Sequence, residues 1–449
     1  MSTTKEETIK RFTDYLAQYI ALPSVSAQKK SIPETVAFLQ KLITDLGGTA
    51  EVFSDWPNPV IHGEFTPAHV TADTPTILFY NHYDVQPPEP LDLWHSAPFT
   101  LTERDGKLVG RGTADCKGDL IARLCALTLY RQAHGDWPCR VKFLLEGEEE
   151  IASQHLEKYL TKYADTFAAD VVVWESGSKN AREQLEITGG NKGICCIDLV
   201  ATTAAEDIHS STAAYIEGAG IRLVQALASL REVGTNRLKI KGLDAKIVPP
   251  TAREKALVAQ ETVDPAAIRQ AHGLTRPYLT DDIAGAAAFS PTLNVAGLTG
   301  GYEGAGVKTV LPHTARAKLD IRLVPDLDPE EVADLVRQQL AANGFGDIDV
   351  QYLMGEKSYR SGLDAPLVQR ITSVAETTYG TGQVELLPSS AGTGPMYLFN
   401  HYLHAPLLAF GVSYAQSGPH APNENIRIAD FHQGIDFLVN VFTDLAQAK

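Results

Sequence analysis

The stretch TILFYNHYDVQP, residues 76–87, decides how the chain is read. Its apolar start, 76–80, has the length and composition of a buried strand. The strand runs into Asn81-His82-Tyr83-Asp84. Side chains two apart on a strand share a face, so His82 and Asp84 can address one site. About thirty residues later the chain reads Gly110-Arg111-Gly112-Thr113-Ala114-Asp115, followed by Lys117-Gly118 and a helical pattern. An imidazole and two carboxylates at element ends, beside glycines, point to a metal site whose remaining ligands must come from elsewhere.

Working outward, strands and helices alternate. A helix is expected from 31 to about 47, with Pro33 in its first turn and Val36, Leu39, Ile43 and Leu46 on one face. Strands are expected over 59–65, 140–145 and 170–174. Helices are expected over 117–130, with Leu120, Leu124, Leu127 and Tyr130 as an apolar stripe, and over 152–163. This alternation indicates an α/β sheet with helices on both faces. In such sheets functional groups gather at strand ends. His82, Glu148, Glu149 and Glu175 all fall just past predicted strand ends.

The rhythm then changes. A long strand or strand pair is expected over 185–201 and a helix over 220–230. Strands follow at 291–295, 315–324 and 347–353, and Asp328-Pro329-Glu330 starts another helix. From 359 the first pattern returns, with a helix over 365–379, a strand over 407–410 and a helix over 428–445. The chain therefore divides into one domain of residues 1–186 and 359–449, interrupted by a smaller α+β domain of residues 187–358.

Composition agrees with a multidomain globular protein. The chain has 449 residues, 44% hydrophobic and 21% charged, too long for one ordinary core. Its 39 basic and 55 acidic residues give a net charge of −16, which disfavours nucleic acid and anionic membrane as partners. No apolar stretch approaches a membrane span. The first twenty residues read as an amphipathic helix without the apolar core of a signal peptide. The five cysteines, at 116, 125, 139, 195 and 196, form no CxxC pair, and free thiols in a reducing cytoplasm are expected.

Taken singly, each candidate motif is weak. His-x-Asp at a strand end is more often a local hydrogen bond. The run Glu148-Glu149-Glu150 reads as a solvated acidic turn. Glu175 could be an ordinary edge carboxylate and His420 a loop histidine; His401 and His404 read as structural. Together, two histidines and several carboxylates can converge on one side of one sheet, with a donor mix that suits zinc or manganese. An aspartate shared by two metals would hold them ~3.5–4 Å apart.

Five segments in order, NHYDVQP, GRGTADCKG, EGEEE, WESG and GPHAPNE, resemble the M20 family of metallopeptidases, especially its carnosinase-like dipeptidases. The resemblance covers essentially the whole chain. It implies a zinc-exopeptidase-like α/β catalytic domain with an inserted smaller α+β lid and dimerisation domain. It implies two divalent metal ions, zinc first, with manganese and cobalt as alternatives. His82 and Glu175 would bind one metal, Glu149 and His420 the other, and Asp115 both. Asp84 would orient the His82 ring, and Glu148 would be the general base. Glu206-Asp207-Ile208-His209-Ser210 resembles a lid segment whose histidine reaches the active site of a second subunit. His209 would then help polarise the scissile carbonyl. Arg322, in Asp320-Ile321-Arg322-Leu323, would clamp the substrate carboxylate. Thr309 would assist from the partner, and Thr393, in Ala391-Gly392-Thr393-Gly394-Pro395, would also bind substrate. Two departures stand out: Cys116 follows the bridging aspartate where Asp or Asn is usual, at a bond that is often cis, and Ser211 stands where glycine is common.

The resemblance thus implies a cytoplasmic, homodimeric dipeptidase. Two rivals are weighed against it: an N-acyl-amino-acid deacylase of desuccinylase or deacetylase type, and a metal- or peptide-binding protein without catalysis.

Overall fold

A computed structural model describes residues 4–447. Residues 1–3 and 448–449, which the sequence places at the ends of the first domain, lie outside the described residues. The chain divides into two units. The first comprises residues 4–189, 363–387 and 396–447, and the second residues 190–362 and 388–395. Segment 388–395, expected in the first domain, thus belongs to the second unit. The reason is local: Lys192 N donates to Ser390 O and Gly392 O, and Asn191 Nδ2 donates to Gly394 O.

The first unit is built on a mixed ten-stranded sheet. At its centre Thr76–His82 lies parallel to Arg140–Glu146 on one side and Val171–Trp174 on the other. All seven residues of Thr76–His82 are buried, as the unbroken apolar run requires of a strand covered on both faces. Outward from Arg140–Glu146 come Val60–Phe65 and Thr49–Phe53, both antiparallel. Outward from Val171–Trp174 lies Leu407–Ala409, parallel, so the first and last parts of the chain share one sheet.

Helix Lys117–His134 covers the strand ends and packs against Lys5–Ile20 and Ile428–Ala446. Residues 117–127 are buried throughout, and Gly135, at φ +81°, ends the helix in the left-handed conformation. Ile32–Asp45 carries Pro33 near its start and is entered through Ser31. The helix expected over 152–163 is shorter, Leu156–Lys162. Ala152 and Ser153 have φ of +68° and +43°, which breaks the helical path after a 3₁₀ turn at Glu149–Ile151. Helix Met396–Leu403 was not anticipated.

The second unit centres on a four-stranded antiparallel sheet in the order Thr292–Gly300, Thr314–Leu323, Gly193–Thr202, Asp349–Glu356. Helices Ala219–Ser229 and Pro329–Ala342 bury the alternate residues Cys195, Ile197, Leu199, Ala317, Leu319 and Ile321. The run expected over 185–201 is two strands, Leu185–Thr188 in the first unit and Gly193–Thr202 in the second. Among the described residues no helix is long and apolar enough to cross a membrane.

His62, on Val60–Phe65, is 8% exposed and packs its ring against Phe53 and Phe167. Burial pushes its pKa down to about 4, against an opposing pull from Glu64. The unfolded chain therefore binds a proton that the native state excludes as pH falls from the ordinary histidine range towards 4. Stability present at neutral pH should be lost over that window, by at most roughly 3 kcal/mol. Urea unfolding at pH 7 and pH 4.5 should show a smaller acid loss for His62→Phe than for the unsubstituted chain.

Candidate metal centre

His82 and Glu175 leave neighbouring strands at the same end of the sheet. Arg123, 1% exposed on helix Lys117–His134, fixes both ends. Its Nη1 donates to Tyr80 O at 2.9 Å and Asn81 Oδ1 at 2.6 Å, and its Nη2 donates to Trp174 O. Asn81 Nδ2 donates to Glu175 O at 3.0 Å. His82 Nδ1 lies 2.9 Å from Asp84 O. A carbonyl only accepts, so Nδ1 donates there and Nε2 is left to face the site, where it donates to Asp115 when the ring is protonated and would present its lone pair to a metal. That nitrogen faces Asp115 Oδ1 at 2.9 Å and Glu175 Oε2 at 3.8 Å. Asp84 therefore orients the ring chiefly through its backbone, with its carboxylate 3.5 Å from Nδ1. The other oxygen of that carboxylate accepts from Glu150 N at 3.1 Å.

Asp115 sits on a turn held from inside. Glu424, 0% exposed, accepts from the N–H groups of Gly112, Ala114 and Asp115 at 2.9–3.0 Å and from Arg111 Nη1 at 2.6 Å. Arg111 Nη2 in turn donates to His420 O at 3.0 Å. One ion pair thus places both Asp115 and His420. Gly112 allows the turn: its φ is +89°, and a Cβ there would lie 2.9 Å from Val85. The Asp115–Cys116 bond is cis. Asp115 Oδ2 lies 2.9 Å from His420 Nε2, so one carboxylate stands between two imidazoles.

The three glutamates after Arg140–Glu146 diverge. Glu150 Oε2 lies 3.2 Å from His420 Nε2, and Asp115, Glu150 and His420 form one group with metal-ligand spacing. A second such group is His82, Cys116 and Glu175. Glu148 instead faces away, its Oε2 accepting from His155 N at 3.1 Å and lying 2.8 Å from His155 Nδ1. The Glu149 carboxylate makes no hydrogen bond among the described residues. The sequence reading, with Glu149 beside His420 and Glu148 free, is thus displaced by one residue. The cause is the 3₁₀ turn Glu149–Ile151, which sends consecutive side chains about 120° apart.

The electrostatics of the cluster suit cations. Burial raises the Asp115 carboxyl, but hydrogen bonds from His420 and His82 more than offset it and hold it well below the usual range. Those bonds to Asp115 and Glu150 lift His420 to about 10. Burial pushes Glu149 up to about 8 and Glu175 well above its ordinary value, with Glu149 adding to the rise at Glu175. Glu175 Oε2 is buried without a hydrogen-bond partner. A cluster of N and O donors with more buried carboxylate than it can neutralise suits divalent metal. His82 and Glu175 would hold one ion, Glu150 and His420 the other, and Asp115 both. The Cys116 sulfur is occupied by contacts to His82 O at 3.4 Å and Asn81 Nδ2 at 3.3 Å.

The sequence pattern of Peptidase family M20/M25/M40 matches residues 78–444. The chain belongs to that family. It is a metallopeptidase of the M20 fold, with a catalytic α/β unit and a second, smaller α+β unit. The Beta-Ala-His dipeptidase of Rattus norvegicus is 26% identical over 460 residues, spanning 97% of this chain and 93% of the relative. The Cys-Gly metallodipeptidase dug1 of Schizosaccharomyces pombe is 24% identical over 462 residues, 98% of this chain and 96% of the relative. Among solved structures, an M20 family metallo-carboxypeptidase from Sulfolobus solfataricus superposes with a TM-score of 0.86 at 33% identity, covering 97% of this chain and 99% of that one. Human carnosine dipeptidase 1 gives 0.75 at 25% identity, covering 98% and 97%.

In the second unit, Arg322 Nη1 donates to Thr393 Oγ1 at 2.5 Å, so these two candidates meet. His209 is exposed, with Nδ1 2.9 Å from Ser211 Oγ. Thr309 is its neighbour through Ser210 N, which donates to Thr309 O. Sequence reasoning missed Glu150, Arg111 and Glu424 as site residues. All three lie inside segments it had singled out, each a charged residue within four positions of a candidate ligand.

Glu424→Gln keeps the shape but leaves Arg111 buried without its counter-charge. It should weaken metal binding at the Asp115–His420 side by about 10–100-fold, read by chelator competition on the metal-loaded protein.

Proposed function

We propose that this chain hydrolyses the amide bond of dipeptides or similarly short peptides bearing a free C-terminal carboxylate. The observation that carries this reading is the Asp115 carboxylate between His82 and His420, flanked by Glu175 and Glu150. Two donor sets share one carboxylate, the arrangement of two-metal hydrolases. Zinc is the ion this donor set suits first. The bound ions would polarise the scissile carbonyl and lower the pKa of water.

The protein's own part follows from the side chains. Glu149, free of hydrogen bonds and close enough to sense the charges of His82 and Asp115, takes the proton from the attacking water as the carbon–oxygen bond forms. It then delivers that proton to the amine nitrogen as the carbon–nitrogen bond breaks. Glu148 is engaged by His155 instead, which favours Glu149 over it as the base. Asp84 holds the His82 ring and the Glu150 backbone together. Arg322, backed by Thr393, binds the substrate carboxylate. His209 polarises the scissile carbonyl and Thr309 assists, both from the partner of a homodimer, as the resemblance to the family implies.

The relatives' names support the substrate class, since one is a Beta-Ala-His dipeptidase and another a Cys-Gly metallodipeptidase. A second reading, release of the C-terminal residue from longer peptides, is favoured by the metallo-carboxypeptidase neighbour. Turnover of Gly-Leu, a tetrapeptide ending in Leu, and N-acetyl-leucine distinguishes the readings. The proposal expects the dipeptide to be cleaved fastest. Fastest cleavage of the tetrapeptide establishes the second reading, and fastest cleavage of N-acetyl-leucine the deacylase.

Glu149→Gln should retain its metal and lose at least about 10²-fold in kcat, whereas Glu148→Gln should lose far less. Steady-state assays with metal content measured in parallel decide between them; the reverse order would return the base to Glu148.

A further inference from the structure

The second unit holds a cavity of about 430 Å³ whose lining includes Lys192, Arg322, Leu279, Ile283 and Ala287. Lys192 is 3% exposed. Its Nζ donates to Ser290 O at 2.6 Å and lies 3.5 Å from Ala286 O, both neutral carbonyls at the end of helix Ile283–Phe289. Arg322 donates to the Thr393 hydroxyl, also neutral. Among the described residues neither cation forms an ion pair with a carboxylate, in a chain of net charge −16. Glu356 feels the charge of Arg322 but forms no ion pair with it among the described residues. Its Oε2 is buried without a hydrogen-bond partner, and burial pushes its pKa up to about 7 against the pull of Arg322. Two cations, one of them deeply buried, thus face one cavity and lack a counter-ion.

A buried charge without a partner is costly, and the cost is removed by a ligand of opposite sign. Arg322 offers a planar fork that matches a carboxylate, and Lys192 adds a point charge. The remaining walls named here, Leu279, Ile283 and Ala287, are apolar. We propose that Lys192 is a second cation for the substrate's C-terminal carboxylate, and that Leu279, Ile283 and Ala287 receive the side chain of that residue and select an apolar one. This rests on the peptidase reading for the identity of the anion, and names the residue preference that the reading leaves open. Lys192 also places the loop that carries Thr393, because its N–H donates to Ser390 O and Gly392 O. The main chain supplies that tie, so a side-chain substitution leaves it in place.

The test separates binding from turnover. Leucine, leucine amide and inorganic phosphate are titrated calorimetrically into the metal-loaded protein and into Lys192→Gln and Lys192→Arg. Leucine should bind at least tenfold more tightly than its amide and than phosphate. Lys192→Gln should lose at least tenfold in leucine affinity, and Lys192→Arg should recover most of it. In steady state on Gly-Leu, the Lys192→Gln loss should fall on KM rather than kcat. Ile283→Asp should shrink the preference for Gly-Leu over Gly-Gly by at least fivefold. Equal binding of leucine and its amide, tighter binding of phosphate, or a Lys192→Gln variant that binds leucine like the unsubstituted protein would overturn the proposal, leaving Lys192 as a helix-end cap. If no dipeptide is cleaved while the leucine titrations behave as stated, the peptidase reading fails and the carboxylate pocket stands.

Discussion

The buried pair of Arg111 and Glu424 is the interaction on which the site depends. Glu424 gathers three consecutive-turn N–H groups and one guanidinium, and Arg111 passes that constraint to the carbonyl of His420. Residues more than three hundred positions apart are thereby held in one geometry. Breaking a buried pair of this kind by removing one partner typically costs about 3–5 kcal/mol, because the other charge is stranded. The same cost holds the 110–116 turn in place, since moving it would strip the buried Glu424 of its donors. Arg123 does the equivalent work on the other side, tying Tyr80, Asn81 and Trp174 so that His82 and Glu175 leave the sheet together.

What these supports hold in place is unfavourable by itself. Asp115, Glu149, Glu150 and Glu175 crowd around two imidazoles, and burial drives Glu149 and Glu175 towards protonation. Local rules of charge balance are broken where function needs them broken. The second unit carries the opposite imbalance, with Lys192 and Arg322 unpaired at one cavity. The first unit thus carries an excess of anions suited to divalent metal, and the second an excess of cations suited to a carboxylate.

Much of this was legible in the sequence, for physical reasons. The runs at 76–80, 140–145 and 170–174 are unbroken apolar segments, and only strands covered on both faces tolerate that. Chain order then placed His82 and Glu175 at strand ends. What was not legible was the phase of a tight turn. In Glu148-Glu149-Glu150 every residue has the same chemistry, so only the backbone decides which one meets His420. Left-handed residues at Ala152 and Ser153, which no glycine announces, end the turn and set that phase. Segment 388–395 was misplaced because most of its ties end on main-chain carbonyls, those of Ser390, Gly392 and Gly394, which carry no sequence signature. Glu424 and Arg111 were visible as letters of their motifs, but they pair across more than three hundred positions and their other partners are main-chain groups, which no sequence spells out.

A shared Asp115, with Glu150 rather than Glu149 on the His420 side, is the central assignment. Metal stoichiometry tests this most directly, by elemental analysis of dialysed protein loaded with excess zinc. Two equivalents are expected for the unsubstituted chain and for Glu149→Ala, and one for Glu150→Ala. Two equivalents in Glu150→Ala together with one in Glu149→Ala would contradict that assignment.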